Sequence, residues 1–344
     1  MLIPQQSSPL DQALARALPY PLYVLDNNFI VHQANLQAEE LNGRLGIDDD
    51  LPEEVRRRLD EAVVRNQDLV EDDIRRAIYL ADQTYLPQIF RLAGAFGARD
   101  GWAVLLVECT RLRRNVEAKA KTLSMLSHEV KTPLTGIRLS LHLLLEEKLG
   151  ALNPDQRELL EVGRDECERM LVTVQTQLEL ARLESGQTKL QLQSIPPVDL
   201  LAEAMTNHGD TVKHAGSELR MEEIPAGLPE VSVDPVLANR VLGNLISNAG
   251  KYGTRGQPVV LRAKLYDPDY VRFSVLNHGS PLSEFEQSQL FDPLFRRSEG
   301  NGAGLGLGLA ICREIASLNG GRLGVNCDAG SELVEFFIDL RRTG

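Results

Sequence analysis

The most regular hydrophobic pattern in the sequence lies near the middle of the chain, where spacings of four and three residues alternate. The positions in this pattern are Leu112, Val116, Lys119, Leu123, Leu126, Val130, Pro133 and Ile137. Such spacing is typical of the apolar seam of a coiled coil, and a single polar position in a seam can fix its register. The pattern predicts a long helix with one apolar edge, which we call the seam.

A second helix is predicted shortly afterwards, because Asn153 is a typical helix cap and Pro154 suits the first helical position. Its apolar face comprises Leu160, Cys167, Leu171, Val174 and Leu178. Two long helices joined by a short loop form a helical hairpin. A second copy of the hairpin would bury the exposed seam, so residues 111–187 are expected to form half of a dimeric four-helix bundle.

The regions on either side of the hairpin show strand patterns. Residues 11–110 combine helical patterns with strand-like stretches, which predicts an α+β domain; these stretches are 22–31, 78–80, 88–92 and 102–107. Residues 188–344 predict a sheet layered against helices. The predicted strands there are 219–224, 259–266, 270–276, 322–327 and 333–340, and the predicted helices are 198–207, 235–252 and 306–318. Residues 277–304 are rich in Gly, Ser, Asn and Arg and are expected to form a mobile loop near a ligand.

Composition narrows the classes of function. The 344 residues include 49 acidic and 37 basic side chains, and the net charge of −12 argues against a nucleic-acid-binding protein. No apolar run approaches the roughly 18 residues that a membrane helix needs, and the first residues do not resemble a signal peptide. The four cysteines lack metal-site or disulfide-scaffold spacing. We expect a cytoplasmic chain, although it could also be the cytoplasmic part of a longer membrane-associated sensor.

His128 is the first candidate catalytic residue. It lies beside the seam, so its imidazole is expected to face solvent, where a large neutral fraction makes it a competent nucleophile. Thr132 lies one turn later on the same face, and Pro133 cannot donate to the carbonyl of Glu129, which predicts a kink. Zinc chemistry of the His-Glu-x-x-His kind is excluded, because Thr132 occupies the second histidine position. Taken alone, such a histidine is more often an ordinary surface residue, and Pro133 an unrelated kink.

A polar stripe lies on the otherwise apolar helix predicted over 235–252. Asn244, Asn248 and either Lys251 or Tyr252 are spaced about one helical turn apart. An amide oxygen can ligate Mg²⁺, a lysine can neutralise phosphate, and an aromatic ring can stack on a base. The stripe therefore suits the binding of a magnesium nucleotide. The alternative interpretation is that the stripe is a helix face exposed to solvent.

A glycine-rich segment, residues 300–309, precedes the last predicted helix. Gly304, Gly306 and Gly308 permit close backbone approach, and the helix that follows offers free N–H groups to phosphate. The segment lacks the context of a Rossmann fingerprint and the Lys-Ser/Thr ending of a P-loop. A flexible loop without a ligand is the alternative for this segment taken alone.

Together these segments resemble the sensor histidine kinases of bacterial two-component systems. Residues 127–134 are similar to the H box of that family, 244–252 to its N box, 290–297 to its F box and 304–311 to its G2 box. The four segments occur in the family's order and spacing, and the resemblance covers about residues 112–342. On fewer residues, 22–31 and 107–110, the N-terminal region resembles a PAS domain.

The resemblance implies a multidomain fold with three parts. These are a PAS-like α+β sensor domain over 11–110, a signalling helix and phosphotransfer hairpin over 111–187, and a catalytic domain over 188–344. The hairpin would form a dimeric four-helix bundle. The catalytic domain would be an α/β sandwich that binds ATP, of the Bergerat or GHKL type.

The resemblance also implies roles in the hairpin. His128 would take the γ-phosphoryl group of ATP, and Glu129 would orient the imidazole and accept its proton. Because adjacent helix positions do not face each other, this role needs a bent Glu129 side chain or a kinked backbone. Thr132 matches the position that aligns water when phosphate is removed from the partner protein.

In the catalytic domain, Asn248 would hold Mg²⁺, Lys251 would bind a phosphate, and Tyr252 would stack on adenine. Arg296 or Arg297 could supply positive charge at the γ-phosphate. The remaining expected nucleotide contacts are Asn244, Asn277, Gly279, Gly304, Gly306 and Gly308.

One segment departs from the family pattern. Where the family usually has Asp-x-Gly-x-Gly, this chain has Asn277-His278-Gly279-Ser280-Pro281. The aspartate usually accepts a hydrogen bond from the adenine amino group, and Asn277 can still accept through its carbonyl. The exchange of a charge-assisted bond for a neutral one costs roughly 1 kcal/mol, or several-fold in ATP affinity.

These observations favour an ATP-dependent histidine kinase that forms a homodimer, passes phosphate to an aspartate of a response regulator, and also acts as a phosphatase. One alternative is a signalling scaffold or phosphatase-dominant member that binds ATP weakly because of Asn277. Another is an ATPase of the gyrase or chaperone kind. His128 disfavours the last alternative, because such ATPases need no histidine on a dimerising hairpin.

Overall fold

The computed structural model describes residues 17–48, 50–65, 67–96, 99–186, 188, 190–296, 306–328 and 332–343. The chain divides into two compact units, residues 1–118 and 119–344. Within the described residues, no helix combines the length and the apolar composition that crossing a membrane requires. The three domain boundaries expected from the sequence stay predictions.

The first unit is built on one antiparallel sheet. Its strands follow the order β2-β1-β6-β5-β3, and β4 pairs with β5. The strands are β1 (Leu22–Asp26), β2 (Val31–Ala34), β3 (Leu69–Val70), β4 (Ile78–Leu80), β5 (Gln83–Phe96) and β6 (Arg99–Glu108). Helices α1 (Leu36–Leu45) and α2 (Glu53–Arg65) and a 3₁₀ turn (Ile74–Arg76) accompany them. The predicted α+β class is confirmed, whereas the likeness to a PAS domain stays a prediction.

Helix α1 is joined to the sheet by two asparagines. Asn35 caps the helix by accepting from the Ala38 N–H at 3.1 Å, and the same oxygen accepts from the Leu22 N–H at 2.9 Å. Tyr23 is fully buried, and its hydroxyl donates to Asn42 Oδ1 at 2.9 Å. The side chains of Asn35, Tyr23 and Asn42 are therefore hydrogen-bonded, as a buried hydroxyl or amide requires.

Two long helices form the predicted hairpin. Helix α3 (Thr110–Leu145) begins in the first unit and passes through Pro133 without a break, and α4 (Pro154–Glu184) begins at a capping box between Asn153 and Gln156. Within one chain the helices bury a small cluster of Leu134, Cys167 and Leu171.

The seam positions remain on the surface of the single chain. Leu112, Leu126, Val130 and Ile137 are between 37% and 55% exposed. Leu134 of α3, which packs against Cys167 and Leu171 of α4, is not one of the seam positions. An apolar edge of this kind on one chain is the property expected of a helix that packs against a second copy.

The rest of the second unit layers helices on one face of a sheet with the order β12-β13-β11-β10-β8, in which β8 and β10 are parallel. Its strands are β8 (Leu219–Met221), β10 (Val259–Asp267), β11 (Tyr270–His278), β12 (Arg322–Asp328) and β13 (Leu333–Arg341). Its helices are α5 (Pro197–His214), α6 (Pro235–Tyr252), α7 (Glu284–Gln289) and α8 (Gly308–Leu318), and β7 (Gln193–Ile195) pairs separately with β9 (Val231–Val233). The predicted α/β class is confirmed.

Several elements differ from the sequence-based expectation. The segment expected to be a mobile loop contains α7, which begins at a capping box between Ser283 and Glu286. The short strands β7 and β9 were not predicted, because three residues give too little alternation to be recognised. Helix α6, in contrast, has the predicted bounds.

The outer face of the sheet carries a buried ion pair. Arg272 and Asp339 are 7% and 1% exposed, and their side chains form two hydrogen bonds of 2.7 and 2.9 Å. The guanidinium lies between the rings of Tyr266 and Phe337, at 3.8 and 3.6 Å from their centroids. Gly324 leaves room for the second ring, because a Cβ there would lie 2.3 Å from Phe337.

We expect Asp339→Ala to destabilise this sheet by about 3–5 kcal/mol, because it leaves the Arg272 guanidinium buried and unpaired. The control is Glu222→Ala, which breaks the more exposed Glu222–Arg262 pair on the same sheet and should cost less than about 1 kcal/mol. Hydrogen exchange of the β11 and β13 amides measures both losses. Equal losses in the two variants would contradict the prediction.

Candidate functional site

A cavity of about 550 Å³ in the second unit is lined by one face of helix α6. Asn244, Asn248, Lys251 and Tyr252 all line it, so the predicted polar stripe faces a single space. The opposite face of the helix is buried in the core through Val241, Leu242, Leu245, Ile246 and Ala249. The stripe is therefore a cavity wall and not a freely solvated helix face.

The N-terminus of α6 is fixed by buried polar groups. Asp234 accepts from the N–H groups of Val236 and Leu237 at 3.1 and 3.2 Å, as expected of a cap. Its own N–H donates to Asn319 Oδ1 at 2.9 Å, and Asn319 Nδ2 donates to the Ile315 carbonyl of α8. These bonds join α6 to α8 and hold the two walls of the cavity together.

One end of the cavity is formed by Asn277, Gly279, Tyr252 and Leu282. Asn277 is 4% exposed, and its Oδ1 is buried with no hydrogen-bond partner among the described residues. A Cβ at Gly279 would lie 3.0 Å from the Tyr252 carbonyl and 3.2 Å from Asn277 Nδ2. The glycine therefore allows these two walls to approach.

The start of α8 is tied to α6 by Asn244. Its Nδ2 donates to the Gly308 carbonyl at 2.8 Å and to Cys312 Sγ at 3.3 Å. Burial raises the pKa of the Cys312 thiol to about 12, although the bond from Asn244 opposes the shift, so the sulfur stays protonated at neutral pH. Asn244 thus positions the glycine-rich turn.

Gly306 lies against the segment that resembles the F box, residues 290–297. Its φ of +68° is in the left-handed region, and a Cβ would lie 2.5 Å from the Phe295 carbonyl. The Gly306 carbonyl accepts from the Leu294 N–H at 3.0 Å. Arg296 also lines the cavity, whereas Arg297 and Gly304 lie outside the described residues.

The cavity residues that were not predicted from the sequence include Thr176, His208, Arg240 and Gly243. Arg240 and Gly243 continue the α6 stripe toward its N-terminus, so extending the helical spacing would have found them. No pattern in the sequence indicates that His208 lines the cavity. Its ring lies 2.4 Å from where a Cβ of Gly243 would be, and its Nε2 is buried without a partner among the described residues.

Helix α4 of the hairpin reaches this cavity. Thr176 lines it, and Glu179 forms an ion pair with Arg240 of α6. Leu180 and Leu183 are buried in the same core as α6 and α8. The far end of the cavity is therefore closed by the hairpin itself.

His128, Glu129 and Thr132 lie on α3 and do not line the cavity. All three are exposed, and the described residues offer no hydrogen-bond partner to the His128 ring. Thr132 Oγ1 donates to the His128 carbonyl at 3.1 Å. No hydrogen bond between His128 and Glu129 occurs in the described part of the chain, so the role expected of Glu129 stays a prediction.

Two family models match the chain. Residues 118–186 match the His Kinase A (phospho-acceptor) domain. Residues 233–342 match the histidine kinase-, DNA gyrase B- and HSP90-like ATPase. The first range contains His128, and the second contains α6, Asn277 and the start of α8.

Curated relatives and solved structures agree with these matches. The alginate biosynthesis sensor protein KinB of Pseudomonas aeruginosa is 29% identical over 235 residues, which are 68% of this chain and 39% of KinB. The virulence sensor protein BvgS of Bordetella pertussis is 31% identical over 284 residues, which are 78% of this chain and 22% of BvgS. The chain thus spans less than half the length of either relative. The structure of full-length ShkA in complex with AMPPNP is similar at a TM-score of 0.56 and 27% identity, over 65% of this chain and 46% of ShkA.

We expect Gly308→Ala to weaken ATP binding by about tenfold or more, because the new Cβ would lie 2.9 Å from both amide atoms of Asn244 and displace them. The control is Gly209→Ala in α5, where a Cβ meets nothing within 4 Å and alanine is the better helix former. Calorimetric titration with ATP measures both variants. Unchanged affinity in Gly308→Ala would show that Asn244 does not position the glycine turn.

Proposed function

We propose that this chain transfers the γ-phosphoryl group of ATP to its own His128. The premise is that it belongs to the sensor histidine kinases of bacterial two-component systems. An imidazole nitrogen of His128 attacks the γ-phosphorus, the bond to the bridging oxygen breaks, and ADP leaves. The ring proton passes to a base, for which Glu129 is the candidate. The phosphoryl group then moves to an aspartate of a response regulator.

The observation that carries this proposal is that a single cavity brings together the polar stripe of α6, the glycine at the start of α8 and Asn277. Tyr252 lines the cavity close to Gly279 and can stack on an adenine ring. Asn277 lines it too, and an amide of this kind can accept from the adenine amino group. The residues present therefore fit an adenine nucleotide.

The same cavity offers charge for the phosphates. Lys251 and Arg296 line it, and the N-terminus of α8 presents free N–H groups beside Gly308. Bound Mg²⁺ would neutralise phosphate charge during transfer. Asn248 is the residue that would hold the ion, with phosphate oxygens and water as its other ligands.

Transfer within one chain would require a movement of the hairpin relative to the cavity. Lys119 pairs with Glu184, and Leu141 contacts Gly163, so the antiparallel helices place Thr176 level with His128. Thr176 lines the cavity, but His128 is on the other helix and faces solvent. The present arrangement therefore suits a state before or after phosphoryl transfer.

We propose further that the chain forms a homodimer through the seam. We also propose that it removes phosphate from the response regulator with the help of Thr132. It would work in the cytoplasm, where ATP is available. The exposed apolar edge of α3 supports the dimer. The phosphatase-dominant alternative is supported by Asn277, whose neutral amide binds adenine less strongly than a carboxylate would.

We expect His128→Gln to abolish incorporation of label from γ-labelled ATP without changing ATP affinity, because His128 is exposed and does not line the cavity. The matched control is His142→Gln, the same change at another exposed histidine of α3. Acid-labile, base-stable label should appear in the wild type and the control. If His128→Gln is labelled as strongly as the wild type, His128 is not the acceptor. Full ATP binding with no labelling of the wild type would instead favour the scaffold or phosphatase alternative.

We expect Leu126→Glu combined with Ile137→Glu to weaken the dimer by at least a hundredfold, because each charge would be buried in the seam. The control is Val236→Glu, at an apolar side chain that is 76% exposed on α6. Sedimentation equilibrium measures the dissociation constants. A dimer of unchanged strength in the seam variant would place the dimer interface elsewhere.

A further inference from the structure

At the end of the cavity that the hairpin closes, an arginine is already paired with an anion. Arg240 of α6 lines the cavity, and its guanidinium pairs with the carboxylate of Glu179 on α4. Both terminal nitrogens take part, because Nη1 contacts Oε1 and Nη2 donates to Oε2. A guanidinium fork binds a carboxylate and a phosphate with the same two-pronged geometry. The carboxylate of Glu179 therefore holds a position that suits a phosphate equally well.

The direction of α6 determines which part of a nucleotide would reach Arg240. With the base beside Tyr252 and the metal at Asn248, the phosphate chain extends toward the N-terminus of the helix. Asn244 lies one turn before Asn248, and Arg240 lies one turn before Asn244, at about 6 Å along the axis for each step. The last phosphate of the chain would thus be the one nearest to Arg240. That phosphate is present in ATP and absent from ADP.

From this arrangement we infer that Arg240 exchanges the carboxylate of Glu179 for the γ-phosphate of ATP, and that ATP, but not ADP, thereby frees α4 from the cavity. The inference rests on the proposed function and deepens it, because it names the contact through which the same site controls the hairpin. The two anions compete, since both use the fork of Arg240 and like charges repel at this separation. ADP leaves the pair between Arg240 and Glu179 intact.

The ion pair is weak enough for this exchange. The side chains of Arg240 and Glu179 are 43% and 27% exposed, and ion pairs of such exposure contribute little to stability. Leu180 and Leu183 follow Glu179 toward the end of α4, and they can stay packed in the core. The exchange therefore frees the part of α4 that precedes Glu179, which includes the cavity residue Thr176. By linkage, any signal that loosens this part of α4 strengthens the binding of ATP to the same extent.

The test measures the preference for the γ-phosphate, defined as the dissociation constant of ADP divided by that of AMPPNP, an ATP analogue whose γ-phosphate is not transferred. Calorimetric titration of the full chain with Mg²⁺ present gives both constants. Glu179→Gln should raise the preference about fivefold, because Arg240 no longer has to leave a carboxylate. The affinity for ADP should stay unchanged. Adding Arg240→Gln to this variant should remove the whole gain.

The matched control is Glu184→Gln, the same change on the same helix. Glu184 is 30% exposed and pairs with Lys119 of α3, so its loss should leave the preference unchanged. A preference that is equal in the wild type and Glu179→Gln would overturn the inference. A gain that persists after Arg240→Gln would also overturn it, because the gain would then not depend on Arg240.

Wild-type protein provides a measurement that needs no variant. Hydrogen exchange at the amides of residues 170–179 should be faster in the complex with AMPPNP than in the complex with ADP. Equal exchange in the two complexes would overturn the inference. In each of these cases the nucleotides still bind and the proposed function stands, whereas no binding of either nucleotide to the wild type would overturn both.

Discussion

The anchoring of helix α6 is the constraint on which the second unit depends. One face of this helix supplies core residues, and the other supplies every candidate nucleotide contact from Asn244 to Tyr252. Its N-terminus is held by the Asp234–Asn319 bonds, which continue into α8. Because core and cavity share one rigid element, a shift that loosens the packing also misplaces the ligating side chains.

Where the sequence carries strong local signals, the structure follows them closely. Asp234 and Pro235 define the start of α6, Gly253 follows its end, and the predicted and observed bounds agree. The stripe on that helix could be read from its spacing alone. The place of His208 in the cavity could not be predicted from the sequence. The only sequence feature related to its contact is Gly243, and a glycine in a helix does not indicate which residue packs against it.

Helix α4 shows a second limit of sequence patterns. Its predicted apolar face includes Cys167 and Leu171, which pack on Leu134 of α3. Further along, Leu180 and Leu183 enter the core shared by α6 and α8. Periodicity reports that a residue is apolar and which side of the helix it lies on, but not which element covers it. The change of partner along α4, and the ion pair from Glu179 to Arg240, are therefore properties of the tertiary fold.

The separation of nucleophile and cavity follows from conflicting chemical needs. His128 reacts as a neutral imidazole and must also meet a second protein, so it benefits from exposure on α3. The phosphates need a site from which water is excluded, where hydrogen bonds and charges act in a lower dielectric. Since Thr176 and Glu179 hold α4 against the cavity, His128 of the same chain does not line it in this arrangement. If the phosphoryl group comes from the cavity of the same chain, the hairpin must move relative to that cavity, and any signal that changes the packing of α4 on α6 would then change the population of the reactive arrangement.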